Sequence, residues 1–312
     1  MVERDGNKMN TRVKVKSKLW LKIYKSRYIY LMLIPTIILT ILFKYFPLGG
    51  IKIAFQDYNL YQPEKSEWVG LENFIRIFQG KALWAAVWNT LKLSGAIMIV
   101  CFPLNILFAL LMNEILNAKF KKVVQTITYL PHFLSWISVI GIVSQMLSRN
   151  GVINDVIEMM GGERRLLLAE QALFLPLCVF LTLWKGIGWS SILYFAAIAG
   201  IDPNLYEAAS LDGANRLQRV WHITLPSIKG TIAIQLIYTL SGLFGSNFEL
   251  VYGLQNAYIE FEVIETYVYK HGIVGGSYAE ATAFGLAQGL ISLALLLLAN
   301  VVVKKLTDTG IF

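Results

Sequence analysis

The chain has 312 residues, is 56% hydrophobic and only 15% charged, and has a mean hydropathy of +0.55, a composition that excludes an ordinary soluble domain. Its formal net charge of +8 would suggest a nucleic-acid partner, but the charge is gathered in the tail and in connectors between apolar runs. That placement suits anionic lipid instead.

Residues 1–27 form a basic cytoplasmic tail with 9 Lys/Arg against 2 Asp/Glu. Residues 28–312 then carry six apolar runs of the roughly 20 residues needed to cross a bilayer. The first, 28–46, follows a long polar stretch, and no small-residue cleavage site closes it, so it reads as a span rather than a leader. The second, 94–112, has an amphipathic lead-in from Leu83 that holds Trp84, Trp88 and Lys92. The third and fourth are 124–147 and 172–199, with Pro131 and Pro176 inside them, where neighbouring helices can satisfy the freed backbone groups. The fifth and sixth are 231–248 and 281–303. Cys101 and Cys178 both fall inside spans, and His132, His222 and His271 lack metal-ligand spacing, so no disulfide framework or metal site is expected.

Charge placement orients these spans. With the N-terminus inside, the inner segments (1–27, 113–123, 200–230 and the C-terminal end) hold 17 Lys/Arg against 7 Asp/Glu. The outer segments (44–81, 148–171 and 249–280) hold 9 against 13. The positive-inside rule therefore predicts an all-α, six-span chain with both termini cytoplasmic.

Residues 200–230 are the most structured of the polar segments. Asp202 is a good N-cap and Pro203 fits the first helical turn, so Tyr206-Glu207-Ala208-Ala209 should be helical. Asp212-Gly213 permits a sharp break. A second helical piece, 214–223, should run until Leu225-Pro226 stops it. The expected result is a two-helix knob projecting from the membrane.

The spacing Glu207-Ala208-Ala209, Gly213, Ile223, Leu225-Pro226 resembles the EAA loop of permease subunits in binding-protein-dependent type I ABC importers. The likeness covers the chain from about residue 20 onward. Tyr30-Leu31-Met32-Leu33-Ile34-Pro35, Val69-Gly70-Leu71-Glu72-Asn73-Phe74, Tyr129-Leu130-Pro131-His132-Phe133 and the ending Thr309-Gly310-Ile311-Phe312 are similar to the polysaccharide-type sugar permeases. The resemblance implies a saccharide importer of the bacterial cytoplasmic membrane. Its parts would be this chain, a second related permease, two ATPase subunits and an extracytoplasmic solute-binding protein. ATP and magnesium would be bound by the ATPases, because no Gly-x-x-x-x-Gly-Lys-Ser/Thr loop occurs here. Glu207, Ala208, Ala209, Asp212, Gly213, Ile223, Leu225 and Pro226 would then couple the permease to the ATPase.

In maltose-type permeases the sugar site draws on the spans before and after this loop. Positions equivalent by spacing are Lys185, Gly186 and Trp189, then Thr239, Leu243 and Ser246 or Asn247. Gly186 matches the family residue in kind, whereas Lys185 and Trp189 depart from it. A charge within a span is costly and faces protein or water. Lys185 therefore either meets an acidic saccharide, snorkels, or pairs with a carboxylate of the partner permease. The other cargo readings are a neutral malto-oligosaccharide or a glycerol-phosphate-like solute. A secondary transporter would show aligned intramembrane charges, yet only Lys92 and Lys185 lie in the spans. In the last span, Ala281-x-x-x-Gly285-x-x-x-Gly289 forms a small-residue ridge of the kind that packs helices closely.

Overall fold

The computed structural model describes residues 22, 24–307, 310 and 311. Most of the basic tail, together with Thr309 and Phe312 of the family-like ending, lies outside the described residues. The chain divides into two compact units, Met1–Ile53 and Ala54–Phe312.

In the first unit, α1 (Arg27–Thr40) leads into a π turn (Ile41–Tyr45) and a 3-10 segment (Phe46–Phe55), giving one apolar stretch from Arg27 to Phe55. It is longer than the expected 28–46. Its large side chains are exposed within the chain, as suits a helix whose solvent is lipid.

The second unit opens with a short antiparallel pair, β1 (Gln56–Asp57) and β2 (Glu67–Trp68), and then α2 (Glu72–Gln79). Asn73, almost fully buried, donates to the carbonyls of Ala54 (3.0 Å) and Gln56 (2.9 Å), so this polar group is satisfied where water is absent. Next come α3 (Lys81–Asn113), α4 (Ala118–Tyr129), α5 (Trp136–Leu147), α6 (Val152–Met159), α7 (Gln171–Ser190) and α8 (Ile192–Ala199). After these follow α9 (Pro203–Leu211), α10 (Arg216–Arg219), α11 (Leu225–Ser227), α12 (Lys229–Ser241), α13 (Phe248–Leu254), α14 (Ile264–Tyr267) and α15 (Tyr278–Thr307).

Among the described residues, four helices are long and apolar enough to cross a bilayer, and up to six spans result if each of two bent pairs is one. The first bend departs from the sequence expectation, and the second falls just ahead of the expected fifth run, 231–248. The third run is not one helix, because it turns through 98° between Phe133 and Trp136. There Pro131 sits in a 3-10 turn (Leu130–Phe133), Leu134 and Ser135 are extended, and the Ser135 hydroxyl caps α5 by accepting the Ser138 N–H at 3.1 Å. The chain bends by 64° at Ile228, and the fifth run ends at Ser241, short of the expected residue 248. Leu225-Pro226 does not stop the preceding helix. A π turn (Val220–Thr224) carries it onward, and the wider turn relieves the clash of the Pro226 ring with the carbonyl four residues earlier.

Four buried clusters of described residues organise the unit, one of them gathering Ala54, Ile77, Leu83, Ile264, Ala283 and Phe284. Leu93, Val139, Cys178, Leu181, Leu250 and Val263 join α3, α5, α7 and α13. Ala109, Leu110, Tyr194, Ile198 and Ile228 knot α3 and α8 to the start of α12, and Ala233, Ile237, Ala299 and Val303 pack α12 on α15. Of the small-residue ridge, only Ala281 makes a close approach, against Gly272, whereas an added Cβ at Gly285 or Gly289 meets nothing within 4 Å.

Candidate functional site

The knob is assembled by its own side chains. The Asp202 carboxylate accepts the Asn204 N–H at 3.0 Å and Pro203 starts α9. Gly213 closes the turn at φ +81°, a conformation that favours glycine, and an added Cβ there would meet open space. Asn215 and Gln218 cap α10 reciprocally, at 2.9 and 2.8 Å. Arg219 donates to the Ser210 hydroxyl (2.9 Å), tying the two helices together. The Tyr206 hydroxyl meets the fully buried Thr224 at 3.0 Å, and Leu225 packs on the Ala109–Ile228 knot.

The knob presents a mixed surface, with charged and polar side chains exposed beside large apolar ones. Glu207, Ala208, Asp212 and Gly213 are exposed, and Glu207 makes no hydrogen bond or ion pair with any described residue. Leu211, Leu217 and Trp221 are 90%, 74% and 66% exposed, and Pro226 is exposed as well. Ala209, Asp212, Gly213 and Ile223 line a groove of about 320 Å³ with Arg219 and His222.

The residues expected to meet cargo separate into two settings. Lys185 is 9% exposed, and its ammonium donates to the His132 carbonyl (2.8 Å) and lies 5.2 Å from the centre of the Trp136 ring. It thus braces the broken corner between α4 and α5. The neighbouring Trp189 ring stacks on His132, with centroids 4.3 Å apart and planes 3° apart.

Three adjoining depressions run along α3, α7 and α12, with Thr239 on the wall of each. One of about 490 Å³ is lined by Asn105, Trp189, Ser190, Tyr194 and Gln235, among others. The next, about 190 Å³, includes Gly186, Thr182 and Asn105. The third, about 560 Å³, is bounded by Ser94, Ser246, Asn247 and Glu249. Gly186, Trp189, Thr239, Ser246 and Asn247 are therefore brought together on one wall; Lys185 and the half-buried Leu243 are not on it.

That wall contains a non-helical loop, 242–247, pinned by residues the sequence did not single out. Ser94 donates to the Gly245 carbonyl (2.7 Å) and Gln288 to that of Phe244 (2.7 Å). Glu265 accepts the Ser246 N–H at 2.7 Å on one oxygen and the Ser246 hydroxyl on the other. Asn247 caps α13 by accepting the Leu250 N–H at 3.0 Å. Asn105 is the other residue missed. Its Oδ1 is buried with no hydrogen-bond partner among the described residues, a state that costs about 1–3 kcal/mol if nothing fills it. Lone polar residues inside spans are the only sequence signal for either feature.

Known proteins resemble this chain in sequence and fold. The family model for the binding-protein-dependent transport system inner membrane component matches residues 102–308. The polygalacturonan/rhamnogalacturonan transport system permease protein YteP of Bacillus subtilis (strain 168) is 42% identical over 301 residues, covering 95% of this chain and 94% of that one. A solved bacterial ABC transporter involved in the import of the acidic polysaccharide alginate has a chain with 38% identity and a TM-score of 0.83, covering 93% of this chain and 99% of that one. A second structure of a bacterial alginate ABC transporter, in complex with an alginate pentasaccharide-bound periplasmic protein, has a chain with the same identity and TM-score, covering 94% of this chain and 100% of that one. The chain belongs to the family of binding-protein-dependent transport system inner membrane components and is a multi-pass ABC transporter permease.

Proposed function

We propose that this chain is one of two permeases in an ATP-driven importer that carries a saccharide, preferentially an acidic one, across the bacterial cytoplasmic membrane. The observation that carries the reading is the knob: a self-capped, two-helix projection that exposes Glu207, unpaired among the described residues, together with Leu211, Leu217 and Trp221. A carboxylate without an internal partner on a knob that also exposes large apolar side chains suits a basic, partly apolar partner face. In this reading the chain spans the membrane six times with both termini inside, and the knob docks on one of two ATPase subunits that bind ATP and magnesium. A second permease completes the pathway and a solute-binding protein delivers the cargo. Thr239, Trp189, Gly186, Ser246 and Asn247 line the passage. The acidic cargo is supported by the likeness to a solved transporter involved in the import of the acidic polysaccharide alginate.

A neutral saccharide is the second reading, favoured by one observation. Among residues lining the three depressions the only charged group is the Glu249 carboxylate, and no cation is present.

The test reconstitutes the complex with its partners in proteoliposomes and offers alginate pentasaccharide and maltopentaose in turn. Replacing Glu207 with Ala should lower cargo-stimulated ATP hydrolysis and uptake about tenfold, the size of one lost interfacial charge contact, while the subunits still co-purify. Full coupling in that variant, or uptake by this chain alone, would defeat the reading. Preference for maltopentaose would select the neutral cargo.

A further inference from the structure

We infer that Asn105 is a saccharide-contacting residue, forming with Ser190, Gln235 and Thr239 a second binding station between Trp189 and the knot of side chains beneath the knob. The inference rests on the saccharide-importer reading above and adds a helix to it. Asn105 lies on α3, whereas the cargo positions implied by family resemblance lie on α7, on α12 and in the loop after it.

The side-chain amide is the anomaly. Its oxygen is shielded from solvent, yet no described residue donates to it, and no described residue accepts from the amide nitrogen of this half-buried side chain. Buried polar groups are hydrogen-bonded in the great majority of cases, so an idle amide on a cavity wall points to a group that arrives from outside. The backbone at the same residue is fully engaged. The Asn105 carbonyl accepts from the Ser191 hydroxyl at 2.9 Å, and Ser191 is itself completely buried. The residue is therefore held firmly while its side chain is left uncommitted.

The surrounding wall has the chemistry of a sugar site. Asn105 lines two of the adjoining depressions, of about 490 and 190 Å³, with Ser190 and Thr239 in both and Gln235 in the larger. The Thr239 hydroxyl donates to the Gln235 carbonyl at 2.8 Å, so its remaining lone pair can accept. A sugar hydroxyl both donates and accepts, and an amide offers one group of each kind. Trp189, 47% exposed on the same wall, supplies the apolar face that a sugar ring can cover. Tyr194, buried in the cluster that fastens the knob, bounds the other end. Cargo leaving Trp189 toward the knob would meet Asn105 next.

The test uses the assembled importer in proteoliposomes, with alginate pentasaccharide and maltopentaose as probes. Uptake by the wild-type complex checks the saccharide reading by itself, since no saccharide uptake would remove that reading. Given wild-type uptake, Asn105→Leu keeps the bulk, removes both polar groups and should slow transport about tenfold, with co-purification of the subunits retained. Uptake within about twofold of wild type overturns the inference. Because a leucine can disturb packing, a second measurement uses Asn105→Cys in a Cys101→Ser, Cys178→Ser background. Alkylation of Cys at 105 by a small permeant maleimide should slow about threefold when cargo is present at about twice its Kd and the transporter is held mid-cycle, since protection scales as one plus the ratio of cargo concentration to Kd. A labelling rate indifferent to cargo means that the second permease or a resident water serves the amide, and the inference falls.

Discussion

The knob and the cavity wall are held by interactions of different range. In the knob, the pairs Asp202–Asn204, Tyr206–Ser210, Asn215–Gln218 and Ser210–Arg219 lie at most nine positions apart, and the longest tie, Tyr206–Thr224, spans 18. In the wall, the loop 242–247 is fixed by Ser94, 151 positions from its partner, by Gln288, 44 away, and by Glu265, 19 away. The knob can therefore keep its shape while it is pushed by another subunit. The wall takes its shape from four separate helices and changes when any of them moves. A transporter needs both properties, a stiff lever and a deformable passage.

The sharpest way to break the wall is at Gly188. A Cβ there would land on the Thr128 backbone carbonyl and 2.8 Å from the Tyr129 ring, where backbone cannot yield. We expect Gly188→Ala to push α4 off α7, cost about 3 kcal/mol and separate the His132–Trp189 stack. The yield and thermal stability of the purified complex measure this, and wild-type stability would show that the contact is softer than its geometry.

Next in size is Glu265→Ala, which removes the anchor of both the Ser246 N–H and the Ser246 hydroxyl. Hydrogen bonds to a charged group contribute about 1.5–3 kcal/mol, so uptake should fall about tenfold as the loop loosens. Glu265→Gln, which keeps one acceptor oxygen, should recover most of it. Equal uptake by the two variants would mean that the loop is held by Ser94 and Gln288 alone.

The same contrast of range explains what was legible in the sequence. Asp202, Pro203 and Gly213 announce the knob because caps and left-handed turns are local chemistry, and the structure places all three as expected. The spacing of Glu207-Ala208-Ala209, Gly213, Ile223 and Leu225-Pro226 carried the permease family, and residues 30–35, 69–74 and 129–133 pointed to its sugar-permease branch. Pro226 misled, because a proline stops a helix only when the turn before it is too tight, and the π turn at Val220–Thr224 is wider. The break after Phe133 was hidden for a related reason: Pro131 alone is compatible with a continuous span, and the corner needs Ser135 as a cap and Lys185 as a brace from a distant helix. Lys185 was conspicuous as a charge, but its partner was not, since a backbone carbonyl leaves no mark in a sequence.

Breaking the knob should take conformational strain rather than crowding. Open space surrounds the Cβ position of Gly213, so the obstacle is φ +81°. A β-branched residue there should cost about 1–2 kcal/mol. We expect Gly213→Val to reduce cargo-stimulated ATP hydrolysis several-fold, and Gly213→Asn, which tolerates the left-handed region, to stay near wild type. Equal defects in both would mean that glycine is required for contact with the partner and not for the turn.

The smallest expected effect is that of Lys185→Met, and it bears on how the stiff and soft regions meet. The ammonium has its carbonyl partner within the chain, rests near the Trp136 ring and lies off the wall shared by Thr239 and Trp189. Methionine keeps most of the stem and loses the brace across the α4–α5 corner. Uptake should then fall about threefold, the scale of one modest hydrogen bond, and by the same factor for alginate pentasaccharide and maltopentaose. Measuring the ratio of the two rates removes any general loss of activity. A loss confined to the acidic oligomer would instead show that the Lys185 charge reaches the cargo, with His132 and Trp189 as the surface through which the passage senses it.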